Sequence, residues 1–113
     1  MTDRMRRVNE AVREVVSARL AEGLRDPRIG FVTVTSVDTS PDLRHARVYV
    51  SVLGSEDERA ATMAGLESAH GVLQRSVASE LRMKHTPTLE FLFDESIQRG
   101  MRISELLDDG QGA

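Results

Sequence analysis

The sequence predicts a single α+β domain, a three-stranded sheet with helices packed on it, in the order α-β-β-α-α-β. Three observations carry this. Apolar residues near the start of the chain recur at intervals of three and four. Two β-branched runs then follow each other across a short turn. Finally, Ser68-Ala69-His70-Gly71 interrupts what would otherwise be one long helix, and a last apolar strand comes after it. Glycine costs about 1 kcal/mol in a helix interior, so this break needs a reason.

The first helix is expected from Thr2 or Asp3, both good N-caps, to about Gly23 or Leu24. Met5, Val8, Val12, Val15, Val16 and Leu20 form its apolar stripe. Arg6 and Arg13 fall on one flank, with Glu10 and Glu14 within pairing reach of Arg6, Arg7 and Arg13. Arg19 projects into the stripe and must snorkel or find a partner. Asp26-Pro27-Arg28-Ile29-Gly30 ends the helix and turns the chain.

Phe31 to Val37 reads as a first strand, and Thr39-Ser40-Pro41-Asp42 as a turn. Arg44 to Leu53 reads as a second strand, with Ala46, Val48, Val50 and Val52 on one side and Arg47, Tyr49 and Ser51 on the other. The connection is too short for a helical crossover, so the pair is an antiparallel hairpin with one covered face. Ser55-Glu56-Asp57-Glu58 opens the second helix as a capping box, its acidic turn suiting the helix dipole, with Met63 and Leu66 as apolar contacts. After the junction, Val72, Leu73, Val77 and Leu81 point inward from a third helix that Thr86-Pro87 stops. Thr88 to Phe93 makes the third strand. All three phenylalanines are expected in the core. A short helical piece is expected over 101–107, and residues 108–113 as a disordered acidic tail beyond a domain of residues 1–107.

With 113 residues the chain fits one domain and can bury a core without staples. It contains no cysteine, which excludes disulfides, thiolate metal sites and cysteine nucleophiles. No apolar run approaches the roughly 18 residues of a membrane span, and the basic N-terminus has no apolar stretch behind it. A cytoplasmic protein, monomeric for want of any unpaired apolar stripe, is expected.

The net charge of −3 is unevenly distributed. Residues 1–28 carry seven arginines against five acids, and residues 70–86 hold Arg75, Arg82 and Lys84 against Glu80. Residues 29–69 and 87–113 are net acidic. The implication is a basic face on an acidic body. Each basic residue admits two readings. Arg6, Arg7 and Arg13 contact phosphate or belong to a solvated, self-paired helix surface. Arg75, Arg82, Lys84 and His85 share one sign on or just past the third helix, although a cation at a helix C-terminus also suits the dipole. Arg44 and Arg47 line the open sheet face or deter edge pairing. His70 is expected exposed at the kink, free to stack on a base or meet a phosphate, or idle. Gly71 is expected to serve the kink, with close backbone approach to RNA as an added role.

Enzyme readings find little. His45, His70 and His85 have no metal-ligand spacing, and no nucleophile elbow or glycine-rich phosphate loop is present. Glu90 and Asp94 are too far apart along an extended strand to form a carboxylate dyad. No catalytic residue, metal or cofactor is expected.

The element order, with a small-residue break between the last two helices, resembles the type II KH topology of nucleic-acid-binding domains. Residues 1 to about 107 as a whole resemble the ribosome-binding factor A family. The matching stretches are Met5-Arg6-Arg7-Val8-Asn9; Asp26-Pro27-Arg28-Ile29 leading into Val32-Thr33-Val34-Thr35; Asp42-Leu43 before Ala46-Val48-Tyr49-Val50; Ala69-His70-Gly71; and Asp94-Glu95-Ser96-Ile97 with Gly100-Met101-Arg102-Ile103. In this family an Ala-x-Gly kink replaces the usual Gly-x-x-Gly loop, and Ala69-His70-Gly71 matches it. The resemblance implies a non-enzymatic factor for free, immature 30S subunits. Such a factor contacts 16S rRNA, with neighbouring ribosomal proteins as further available partners, supports late maturation and processing of the 16S 5′ region, and in many bacteria is tied to growth in the cold. The rival reading is a protein-interaction module with no direct RNA contact.

Overall fold

The computed structural model describes residues 1–96, so the expected 101–107 helix and the 108–113 tail lie outside the described residues. The order is α1 (Asp3–Glu22), β1 (Val32–Thr39), β2 (His45–Val52), α2 (Glu56–Ser68), α3 (His70–Leu81) and β3 (Thr88–Phe93). The α-β-β-α-α-β expectation therefore holds.

Thr2 caps α1, its Oγ1 accepting from the Met5 N–H at 3.1 Å. Val8, Val12 and Val16, four residues apart, are buried against the sheet. Asn9 beside them is also buried, and its Oδ1 accepts from the Thr39 N–H at 2.8 Å and from the Thr39 hydroxyl. This polar pin fixes α1 on the end of β1. Arg19 finds its partner in Glu22, at 3.0 Å. Arg6 pairs with Asp3 at 2.9 Å rather than with Glu10.

The strands form a mixed sheet in the order β1-β2-β3. β1 and β2 are antiparallel, with Thr35 as an extra residue where the register shifts between Val34 and Ser36. β2 and β3 are parallel, with Val48 opposite Phe91, as a connection long enough to hold two helices permits. Val34, Val37, Ala46, Val48, Val50, Leu89 and Phe91 face the helices and meet Leu66, Leu73 and Val77. One face is covered, as the alternation in β2 requires.

The α2 capping box is complete: Ser55 Oγ accepts from the Glu58 N–H at 3.2 Å, and Glu58 Oε1 accepts from the Ser55 N–H at 3.2 Å. Residues 26–30 run back along α2. Arg28 donates to Ser68 Oγ at 2.8 Å, and Thr62 Oγ1 donates to the Arg28 carbonyl at 3.2 Å. Gly65 lets Ile29 come close: a Cβ there would lie 2.6 Å from Ile29 Cγ1.

Three expectations need correction. α3 stops at Leu81, short of Thr86-Pro87, because Arg82 takes a left-handed conformation (φ 50°) and returns its N–H to the Ala78 carbonyl. β1 starts after Phe31 and continues to Thr39. Phe31 is 82% exposed, so only Phe91, with Phe93 half-buried beside it, belongs to the interior.

Candidate nucleic-acid interface

The bend between α2 and α3 occupies one residue. Ala69 (φ −86°, ψ 1°) is the C-cap of α2 and the N-cap of α3. Its N–H still donates to the Gly65 carbonyl at 3.0 Å, and its carbonyl accepts from the Leu73 N–H at 3.1 Å. The chain changes direction with its hydrogen-bond ladder continuing on both sides.

His70 departs from expectation. It is half-buried and turned inward: Nε2 donates to the Leu89 carbonyl at 2.8 Å, and the ring meets Phe91 edge-on at 6.2 Å. The spacing of His70, Leu73, Val77 and Leu81 by three and four puts all of them on one side of α3. That signal was present in the sequence. Gln74 completes the attachment by donating to the Pro87 carbonyl (2.8 Å) and accepting from the Leu89 N–H (2.9 Å). Two polar side chains thus clamp α3 to the start of β3.

The opposite side of α3 carries Gly71, Arg75 and Ala78, all exposed and three or four residues apart, and Arg82 extends the row. Gly71 lies within the helix and has no left-handed dihedral; among the described glycines only Gly23 and Gly54 have positive φ. A Cβ at Gly71 would meet only Arg75 Nη1, at 3.4 Å. The bend therefore does not require glycine there. Its absent side chain leaves bare backbone beside a guanidinium, at the end of α3 where N–H groups carry partial positive charge.

The structure sorts the predicted basic residues. Arg7 lines a shallow groove with Glu14, Glu80, Leu81 and Met83, which puts it beside the end of α3 where exposed Arg82, Lys84 and His85 follow. Arg6 and Arg13, seven residues apart, share the other flank of α1, the one continued by Ser17 and Leu20 toward β1. They are not brought to α3. Among the described residues, Arg7, Arg13, Arg75, Arg82 and Lys84 make no ion pair. Glu14, Glu22 and Glu80 also lie along the α1–α3 groove, so the surface is arginine-studded rather than uniformly basic.

Arg28 was missed as a candidate. Its guanidinium grips Asp26 (2.6 and 2.9 Å) and reaches Ser68, one residue before the bend, while its side chain stays 46% exposed. The Arg28 side chain and then its backbone N–H hold the Asp26 carboxyl at about 2, against an ordinary 3.8. The signal was an Asp-Pro-Arg turn, which reads locally and does not disclose its contact with α2.

Elsewhere, Arg47 and Glu90 (4.0 Å apart) and Tyr49 lie on the sheet face away from the helices. Hydrogen bonds from Ser96 and from the Thr35 hydroxyl (2.7 Å) hold the Asp94 carboxyl below its ordinary value. Among the described residues no group of three or more His, Asp or Glu side chains is placed to hold a metal ion, and no helix is long and apolar enough to cross a membrane.

The arrangement of the described residues defines a class, a small α+β binding domain that offers a helix–bend–helix ridge. The family model for ribosome-binding factor A matches residues 4–107, and the chain belongs to that family. It is 47% identical over 109 residues to the ribosome-binding factor A of Geobacter metallireducens, covering 96% of this chain and 92% of the relative. A solution structure of a ribosome-binding factor A from Thermotoga maritima superposes with a TM-score of 0.74 at 34% identity, covering 83% of this chain and 90% of that one. The Thermus thermophilus factor, as fitted into a cryo-EM map of its complex with the 30S subunit, superposes with a TM-score of 0.60 at 28% identity, covering 85% and 97%.

Proposed function

We propose that this chain is a non-enzymatic assembly factor that binds the free, immature 30S subunit, contacts 16S rRNA and assists late maturation of its 5′ region. The observation that carries the RNA contact is the outward row Gly71–Arg75–Ala78–Arg82, on a helix whose inward side is clamped by His70 and Gln74. Bare backbone and guanidinium groups in a fixed array suit phosphate oxygens, because arginine donates in a planar fork and a helix start adds N–H donors. The 30S complex of the Thermus relative supports the choice of particle.

The roles divide accordingly. Arg75, Arg82, Lys84 and Arg7 contact phosphate along one surface, Gly71 admits the chain, and Ala69 sets the bend. His70 works from behind as a pin. Arg6 and Arg13 stand apart and contribute less. His85 extends the row beyond Lys84. Such a factor acts by binding one rRNA arrangement better than its competitors, which biases folding without bond chemistry. In slow, cold-trapped rRNA that bias matters most.

The test is co-sedimentation of purified protein with separated small subunits, large subunits and intact ribosomes. Binding to small subunits alone is expected. Preference for large subunits, or no binding by folded protein, would overturn the reading.

A further inference from the structure

Phe31 and Leu53 are 82% and 77% exposed and sit side by side, the Leu53 N–H donating to the Phe31 carbonyl at 3.1 Å. No function assigned above uses them. Two large apolar side chains held together in water at the end of a hairpin mark a contact surface.

The surroundings identify its partner. Arg28 reaches Ser68, Ile29 packs on Gly65 and Gly30 meets Thr62, so residues 28–30 run antiparallel to α2. Just past Leu53 the chain enters the first turn of α2, which carries Glu56, Asp57 and Glu58. Leu53 is two residues from the cap of the same turn, and Glu58 packs on the intervening Gly54. The Leu53 side of the apolar pair thus adjoins a turn with three exposed acidic residues, with Glu56 only loosely paired to Arg59, at 3.8 Å. Beside it, a groove between α1 and β1 lined by Leu20, Ala21, Ile29 and Val32 extends the apolar surface.

We infer that the Phe31–Leu53 knob docks on a protein surface that offers an apolar hollow ringed by lysine or arginine, and not on RNA. A nucleobase stacked on Phe31 would bring its phosphates toward the acidic turn, at a repulsive cost, whereas a basic polypeptide turns the same carboxylates into attraction. The inference rests on the small-subunit reading and deepens it: the α3 row faces rRNA, while the knob faces a basic protein of the same particle.

The test places a photo-crosslinking residue, Phe31→benzoylphenylalanine, in the full chain and irradiates it with purified small subunits. The expected adduct is with a ribosomal protein, at a peptide rich in lysine or arginine. An adduct with rRNA, with a second copy or back into residues 97–113, or no adduct from a chain that co-sediments, would overturn the inference. If the unsubstituted chain itself fails to co-sediment, the small-subunit reading falls and takes the knob with it. In parallel, Phe31→Ser combined with Leu53→Ser should weaken subunit binding about tenfold, as loss of a central apolar anchor does, and leave affinity for protein-free 16S rRNA unchanged. Equal loss on both targets would assign the knob to RNA. Both residues are exposed, so their replacement leaves the core intact, and a melting curve checks this directly.

Discussion

Replacing Gly71 with alanine separates the two jobs a glycine at a helical bend can do. Gly71 lies inside α3 with ordinary helical dihedrals, and the new methyl would meet only Arg75 Nη1, at 3.4 Å, the far end of a flexible side chain. Nothing opposes the gain in helix propensity, about 0.5–1 kcal/mol near the start of a helix. For a domain of this size that raises the melting temperature by about 2–5 °C. The same methyl covers the bare backbone and displaces the Arg75 guanidinium. Loss of one close polar contact costs about 1 kcal/mol, or about fivefold in affinity for the subunit. Calorimetry and quantitative sedimentation on the same preparation read both effects. A more stable, weaker-binding variant is expected. A lower melting temperature would refute the argument, because it would mean that the bend needs glycine's freedom. Unchanged binding would remove Gly71 from the interface.

Gly65→Ala should act with the opposite sign on stability: its Cβ would sit 2.6 Å from Ile29 Cγ1, and overpacking of this kind costs about 1–3 kcal/mol, seen as a fall in melting temperature. Asp26→Asn should be pH-sensitive in a defined window. The carboxyl is held at about 2 in the fold against an ordinary 3.8, so its contribution is full above 3.8 and is lost as pH falls toward 2. The melting gap between the native chain and the variant should therefore be constant from pH 7 to pH 5 and close below pH 4; a constant gap down to pH 2 would contradict the Arg28 pairing. Arg75→Glu with Arg82→Glu should weaken subunit binding at least tenfold, while Arg47→Glu, on the sheet face turned away from the helices, should leave it nearly intact. Equal losses would mean that α3 is not the binding surface.

The regular elements were readable because each has a local cause. The Ser55–Glu58 capping box, the valines of α1, the alternation along β2 and the span of β3 all rest on residues within a turn or two of one another. What could not be read involved distant partners or uncommon backbone states. α3 ends at Leu81 because Arg82, a non-glycine residue, takes a left-handed conformation ahead of any composition signal. Phe31 looked like strand and core by residue type, yet it precedes β1 and projects into solvent. The helical phase of His70 matched its apolar neighbours, but a histidine beside a glycine suggested exposure; only the carbonyl of Leu89, nineteen residues away, explains its burial. The candidate site was visible as a cluster of arginines and a bend. Its division, with Arg7 joining α3 while Arg6 and Arg13 stay on the other flank of α1, follows from how α1 docks, which no local pattern encodes.

The central claim is that the outward row of α3 meets rRNA phosphates, and the dependence of subunit affinity on salt tests it most directly. Each phosphate neutralised on RNA contributes a slope of about −0.7 to −0.9 in log K against log salt. A steep slope is predicted for the native chain, and one shallower by about one unit for Arg75→Glu. A nearly flat slope, or the same slope for both proteins, would contradict the account and leave a protein-only interface in its place.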